Sequence, residues 1–179
     1  MDISQQLERD HGELHALGRA MLRDDAGERD TLFTYLDLRT RRHLAVIEAV
    51  LVHPIRKGEH AEAAGDVLKE HKALRGHLTG LKRPDKGSAE WTGDFRNFAD
   101  HLERVCHQHE RLAGISQESG EELGRRYRQK MLARIPGHLS WTKGGAGVAG
   151  AILLAGAAYA ASRYFRSVRR GDGEEDRAS

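Results

Sequence analysis

Cysteine, proline and aromatic residues are all scarce in this chain. It has 1 cysteine, 3 prolines and 6% aromatic residues in 179 positions. A single cysteine excludes an internal disulfide and a CxxC zinc site, and Cys106 is predicted to be an inert, partly buried thiol in a reducing compartment. Few prolines and aromatics beside 31% charged residues are typical of a helical protein with solvated outer faces, and argue against a sheet-rich fold.

Neither sign of charge dominates, and no catalytic motif is present. The formal net charge is +2, so no global field points to nucleic acid, and no nucleic-acid partner is predicted. The first residues show no basic segment followed by an apolar one, so we expect no secretory signal. The chain has no Gly-rich phosphate loop, no nucleophile elbow and no carboxylate pair on an apolar face. We therefore predict that it is not an enzyme.

Four segments each carry a single apolar stripe. Within each, apolar residues recur at steps of three and four, which is the pattern of a helix with one buried face. The stripes run over about residues 3–21, 30–53, 67–81 and 95–112. Each such helix must bury its stripe against partners, and the connections are short and polar. The sequence therefore predicts an all-α fold, an antiparallel four-helix bundle, followed by a strongly basic fifth helix over 120–135.

The composition changes abruptly after Pro136. No charged residue occurs among the 19 positions between Lys143 and Arg163, and a helix of that length measures about 28 Å, close to the ~30 Å hydrocarbon thickness of a bilayer. We predict a bundle domain over 1–135, a linker over 136–143, a transmembrane helix over 144–165 and a disordered tail over 166–179. A buried or surface-lying Ala-rich helix is the alternative for the third segment.

The Gly/Ala-rich segment also indicates how the protein would sit at a membrane. Small residues at four-residue spacing, Gly147, Ala151 and Ala155, would let two copies approach closely, so a homo-oligomer through this helix is predicted. A single-pass C-terminal anchor without a signal leaves the bundle facing the cytoplasm, with the basic run from Arg125 to Arg134 against anionic lipid. Both flanks are basic, so an interfacial or hairpin-like arrangement stays open.

Each of the four predicted bundle helices places one histidine in its apolar stripe. These are His11, His43, His71 and His109. Burying an unpaired imidazole costs about 1–3 kcal/mol, and four such losses would offset much of the roughly 5–15 kcal/mol stability of a domain. A shared metal ion in the bundle interior would remove this cost, because neutral imidazole binds iron, zinc or copper well.

Four motifs resemble those of hemerythrin HHE domains, in the same order, over about residues 1–132. They are Asp10-His11, then His43-Leu44-Ala45-Val46 leading to Pro54, then Glu70-His71-Lys72-Ala73-Leu74, and the stretch 105–127. The resemblance implies a hemerythrin-like bundle that holds two irons through a histidine on each helix. It also implies bridging carboxylates from His-x-x-x-Glu pairs on the second and fourth helices. Roles in oxygen or iron handling or redox sensing would follow, with a small gas such as oxygen as ligand.

Both His-x-x-x-Glu pairs are altered in this chain. Ile47 stands four residues after His43, and the carboxylate comes one position later as Glu48, as if one residue were inserted. A π-bulge would bring Glu48 to the site, whereas a regular helix would turn it about 140° away. In the fourth helix, the ungapped match places Gln108 at the histidine position, with His109 beside it. The sequence thus predicts an incomplete diiron site whose candidate ligands are His11, His43, Glu48, His71 and His109.

Two functions remain open from the sequence. The first is a membrane-tethered hemerythrin-like domain that binds iron or another transition metal, as a single ion or in an incomplete diiron site. The second is a metal-free, membrane-anchored interaction or stress-response protein that self-associates through its Gly/Ala-rich helix. The remaining histidines of the bundle are expected at the surface; they include His15, His53, His60, His77 and His101.

Overall fold

Helices make up the fold in the part of the chain that the structure describes. The computed structural model describes residues 1–23 and 26–133, and no β-strand occurs among them. The elements are α1 (Ile3–Arg23), α2 (Ala26–Ile47), a π-helix (Glu48–Val52), α3 (His53–Ile55), α4 (Ala61–Gly80), α5 (Ala89–Gly114) and α6 (Gly120–Leu132). The all-α class is confirmed for these residues. None of these helices is long and apolar enough to cross a bilayer, and the predicted linker, membrane helix and tail, 136–179, lie outside the described residues.

Side-chain caps fix the start of three helices. Asp2 accepts a hydrogen bond from the backbone N–H of Gln5 at 3.0 Å, and the Gln5 side chain accepts one from the N–H of Asp2 at 3.2 Å. This reciprocal pair is a capping box at the start of α1. Ser88 and Ser119 each accept from the N–H three residues later, at the starts of α5 and α6. Each cap stabilises its helix by about 1 kcal/mol.

The second helix is longer at both ends than the sequence predicted. It begins at Ala26, whereas the predicted stripe begins at about residue 30, and its helical path continues through Pro54 to Ile55. Pro54 lies directly after the π-helix, at the second position of α3. The helical path thus continues about half a turn beyond the predicted stripe.

The four long helices contact one another in a closed cycle. α1 contacts α2, α2 contacts α4, α4 contacts α5, and α5 contacts α1. The apolar stripes that the sequence predicted are buried between them, with Leu7 of α1, Leu36 of α2, Leu74 of α4 and Phe95 of α5 completely buried. This shared core provides the apolar surroundings in which the stripe histidines are found.

A π-helix, Glu48–Val52, continues the second helix after Ile47. Its signature is the backbone N–H of His53, which donates to the carbonyl oxygen five residues earlier. Ile47, just before this segment, and Val50 and Leu51, within it, are completely buried. The bulge that the sequence suggested at this point is therefore present, and it keeps both ends of the helix facing the core.

α6 packs against α1 and α2 instead of simply trailing the bundle. Its buried residues are Leu123, Gly124 and Tyr127. At Gly124 a β-carbon would lie 2.7 Å from the carbonyl carbon of Asp2 and 2.7 Å from the carbonyl oxygen of Met1. Only glycine permits α6 to approach the start of α1 this closely.

Replacing Gly124 with alanine should destabilise the protein. Because the new methyl group would overlap backbone atoms that cannot rotate away, we expect the free energy of unfolding to fall by about 1–3 kcal/mol. Urea unfolding followed by circular dichroism measures the change. Gly76→Ala in α4 is the matched control, since nothing lies within 4 Å of its added β-carbon. That variant should be neutral or more stable by about 0.5–1 kcal/mol, and equal stabilities of the two variants would contradict the close approach.

Candidate metal centre

Four buried histidines from four helices meet at one place. His11 comes from α1, His43 from α2, His71 from α4 and His109 from α5, and none is more than 3% exposed. Ring centroids lie 5.1 Å apart for His11 and His43, 5.2 Å for His43 and His109, and 5.0 Å for His71 and His109. The structure thus brings together all four histidines that the sequence singled out.

Three of these histidines form a group that could hold a metal ion. His11, His43 and His109 each offer one ring nitrogen, and these nitrogens lie within 4.8 Å of one another. His71 adjoins the group through His109, with their Nε2 atoms 2.7 Å apart. Imidazole nitrogens suit iron, zinc, copper and nickel.

Ionised carboxylates accept hydrogen bonds from two of the rings. His11 Nδ1 lies 3.0 Å from Glu110 Oε1, and His71 Nδ1 lies 2.9 Å from Glu48 Oε1. Burial raises the pKa of Glu48, but hydrogen bonds from His71 and Arg75 outweigh it and bring this pKa to about 2. The pKa of Glu110 is lowered in the same way, since its hydrogen bonds to His11 and a neighbouring histidine outweigh burial. Because an ionised carboxylate only accepts, each imidazole must donate its Nδ1–H.

A tyrosine from α6 orients the third ring. The Tyr127 hydroxyl donates to Asp10 Oδ2 at 2.7 Å, and its oxygen lies 2.7 Å from His43 Nδ1. Burial, together with the neighbouring Asp10, raises the pKa of Tyr127, so the phenol keeps its proton. That single proton goes to Asp10. His43 must therefore donate its own Nδ1–H to the tyrosine oxygen.

His109 lies between the Nε2 atoms of His43 and His71. With their protons on Nδ1, the neutral forms of both imidazoles present a lone pair at Nε2. These lone pairs face His109 Nδ1 at 3.2 Å and His109 Nε2 at 2.7 Å, respectively. A neutral imidazole carries one N–H, so His109 can satisfy only one of the two contacts. In the other, two lone pairs face each other.

Protonating both ring nitrogens of His109, so that each could donate a hydrogen bond, would be unfavourable. Burial, and then the neighbouring imidazoles of His43, His71 and His11, lower the pKa of His109 well below its usual range. The same region contains another unsatisfied atom, because His11 Nε2 is buried and has no hydrogen-bond partner. Buried nitrogens with unused lone pairs are the donor set that a transition-metal ion requires, and the residues present therefore fit such an ion.

The nearby carboxylates accept hydrogen bonds from side chains at the edge of the centre and do not lie between the histidine rings. Glu48 accepts from His71 and from Arg75, and Asp10 accepts from Tyr127. Glu48, the carboxylate that the sequence put among the candidate ligands, is thus placed against the outer edge of the His71 ring. The bridging carboxylates that the family resemblance implied have no counterpart among the contacts of the described residues.

Sequence reasoning missed the groups that orient the rings. It treated α6 as a trailing basic helix, although Tyr127 follows Leu123 by four residues, and this short apolar stripe was a usable signal. It also expected His101 at the surface. His101 is only 5% exposed, because it packs between α5 and α4, where its Nε2 donates to Glu70 at 2.7 Å. That prediction was wrong.

The single cysteine takes no part in the centre. Cys106 is buried and free, as the sequence predicted. Burial raises the pKa of its thiol to about 12, so almost no reactive thiolate exists at neutral pH.

Comparison with known proteins does not assign the chain to a family. No family model matches it, and no match was found among curated proteins or among solved structures. The helical fold and the buried histidine cluster are consistent with a hemerythrin-like fold.

Proposed function

We propose that this protein binds one transition-metal ion in the interior of a hemerythrin-like bundle, through His11, His43 and His109. The observation that carries the proposal is the placement of His109 between the Nε2 atoms of His43 and His71, at 3.2 Å and 2.7 Å. An ion held by His11 Nε2, His43 Nε2 and His109 Nδ1 takes up three lone pairs that otherwise lack partners. The Nε2–H of His109 then donates to His71, and His71 donates to Glu48.

In this proposal His71 positions the ligands and does not bind the ion itself. A metal-bound histidine ordinarily donates its other N–H to an acceptor that fixes the tautomer and the ring orientation. His11 donates to Glu110 and His43 donates to Tyr127. His71 fills the same role for His109, so each of the three proposed ligands has its own orienting partner.

The hydrogen bonds that the nearby carboxylates already accept favour a site for one ion over a site for two. Two irons in a bundle require several carboxylates to bridge and neutralise the metal charge. Here Asp10, Glu48 and Glu110 each accept hydrogen bonds from a side chain of the centre. Imidazoles alone suit iron(II), zinc or copper, and the resemblance to HHE domains favours iron, with a role in oxygen or iron handling or redox sensing. A bound ion would supply a Lewis-acidic centre for a small ligand such as oxygen, and we propose binding without catalysis.

The metal content of the full chain tests the proposal. We expect about one equivalent of metal per chain, by plasma mass spectrometry, after purification under reducing conditions from an iron-supplied culture. Absence of metal, together with no uptake of added iron(II), zinc or copper(II), would overturn the proposal. That result would support the metal-free interaction protein instead.

We also propose that the chain is attached to a membrane through residues 144–165, with the bundle facing the cytoplasm, and that this helix brings copies together. The support is the uncharged, small-residue composition of the segment and the basic helix that precedes it. Arg125 pairs with Glu122 inside α6, and Arg126 pairs with Glu118, which precedes the helix. Part of its positive charge is therefore already neutralised, and the apolar segment must supply most of the attachment.

Replacing Leu153 with arginine should release the full chain from liposomes. An arginine near the centre of a membrane helix costs about 2.5–3.5 kcal/mol on insertion scales, and a segment made mostly of Gly and Ala has little apolar surface to offset it. Flotation with vesicles containing anionic lipid measures the attachment. Leu38→Arg, at an exposed position of α2, is the control and should float like the wild type. Equal flotation of the two variants would contradict insertion.

A further inference from the structure

A second pair of histidines lies between α4 and α5 and shares no residue with the buried centre. His77 belongs to α4 and His101 to α5. Their Nδ1 atoms are 3.4 Å apart, and the two rings are nearly perpendicular, with centroids separated by 5.1 Å. Neither imidazole has a role in the function proposed above.

The separation of the two Nδ1 atoms suits two ligands of one ion. Zinc binds imidazole nitrogens at about 2.0–2.1 Å with tetrahedral angles, which places two such nitrogens about 3.3–3.4 Å apart. The observed separation is 3.4 Å. By contrast, the directly contacting Nε2 atoms of His71 and His109 are only 2.7 Å apart. The separation of the two Nδ1 atoms therefore fits two ligands of one ion better than a direct hydrogen bond between the rings.

A carboxylate orients the buried member of the pair. Glu70 Oε2 lies 2.7 Å from His101 Nε2. A neutral His101 that donates to Glu70 has its lone pair on Nδ1, which lies 3.4 Å from His77 Nδ1. A carboxylate behind a histidine is the usual arrangement around metal-bound imidazole. His101 is 5% exposed, whereas His77 is exposed. One ligand is therefore fixed by packing, and the other borders the solvent from which an ion would enter.

We propose that His77 and His101 form a second, surface-accessible site for a divalent transition-metal ion of the zinc or copper(II) type. Glu70 is its positioning residue, and water completes the coordination. A site with two protein ligands and open positions binds more weakly than a closed one and exchanges its ion with solvent. Because this site shares no residue with the buried centre, its test is independent of the function proposed above.

Zinc titration of the full chain tests this site. Long-range ¹H–¹⁵N correlation spectra report on each ring nitrogen, and the His77 and His101 resonances should shift and saturate as zinc chloride is added. Calorimetry should show the corresponding binding event, absent in His77→Ala and weakened about 10- to 100-fold in Glu70→Gln. Because His77 is exposed, its replacement should leave the fold intact.

His53→Ala is the matched control, since it removes another exposed histidine and should leave the zinc event unchanged. His43→Ala should also retain it, which separates this site from the buried centre. Two results would overturn the proposal. One is a set of His77 and His101 ring resonances that do not respond to several equivalents of zinc, and the other is an unchanged isotherm in His77→Ala.

Discussion

Replacing His43 with alanine should remove the buried ion from the protein. The wild type is expected to retain about one equivalent of metal through dialysis, and the variant none. His43 offers its Nε2 lone pair to the centre and is held in place by Tyr127 at 2.7 Å. Without it, His11 and His109 remain as only two ligands. Plasma mass spectrometry of the dialysed proteins measures the difference.

Two checks make this experiment decisive. Circular dichroism should show that the variant retains its helices, because the lost side chain is polar and its removal leaves the apolar stripes intact. His53→Ala changes an exposed histidine ten residues further along the same helical path, and it should keep the ion. A folded His43→Ala protein that still holds a full equivalent would show that the ligand assignment is wrong.

His71→Ala belongs to the same series but should behave differently. If His71 only positions His109, the variant retains the stoichiometry and loses about 10- to 100-fold in metal affinity, the usual effect of removing an outer partner. Competition with a chelator of known affinity measures this change. Complete loss of the ion, as in His43→Ala, would make His71 a ligand.

Removing the ion from the wild type should lower its melting temperature by roughly 10–20 °C. Metal that binds the folded state alone stabilises it by about 4 kcal/mol at a thousandfold excess over Kd, and for a domain of this size each kcal/mol shifts the melting temperature by several degrees. The metal-free protein also keeps the close contacts of His109 with His43 and His71. Scanning calorimetry of the metal-free and reconstituted proteins gives the two values.

The His43→Ala variant provides the control for this second prediction. Its melting temperature should not depend on added metal, because the ion has no complete set of ligands to bind. A wild-type protein that melts at the same temperature with and without metal would contradict a resident ion. It would also show that the histidine cluster is stable on its own hydrogen bonds.

The helices and their inward histidines could be predicted because they depend on local periodicity. A stripe at steps of three and four identifies a buried face wherever it occurs, and each of the four histidines occupies a position in such a stripe. The extra residue before Glu48 was visible as an offset between His43 and the carboxylate, and the π-helix accounts for it. These features are encoded within single segments of the chain.

The orienting partners could not be predicted in the same way. Tyr127 and Asp10 are 117 positions apart, and His11 and Glu110 are 99 apart, so no local pattern connects them. Which carboxylate accepts a hydrogen bond from which ring depends on how the helices are rotated and shifted relative to one another. The burial of His101 was missed for the same reason, since a neighbouring helix covers it.

The π-helix also has a consequence for the tolerance of this helix to changes in length. Each residue of an α-helix turns the chain by about 100°, so one more residue in a regular helix would turn one of its halves away from the core. The wider turn over Glu48–Val52 takes up such a residue locally. His43 before it and Leu51 within it are both buried. A π-helix therefore lets a helix carry an additional residue beside a buried histidine without exposing that histidine to solvent.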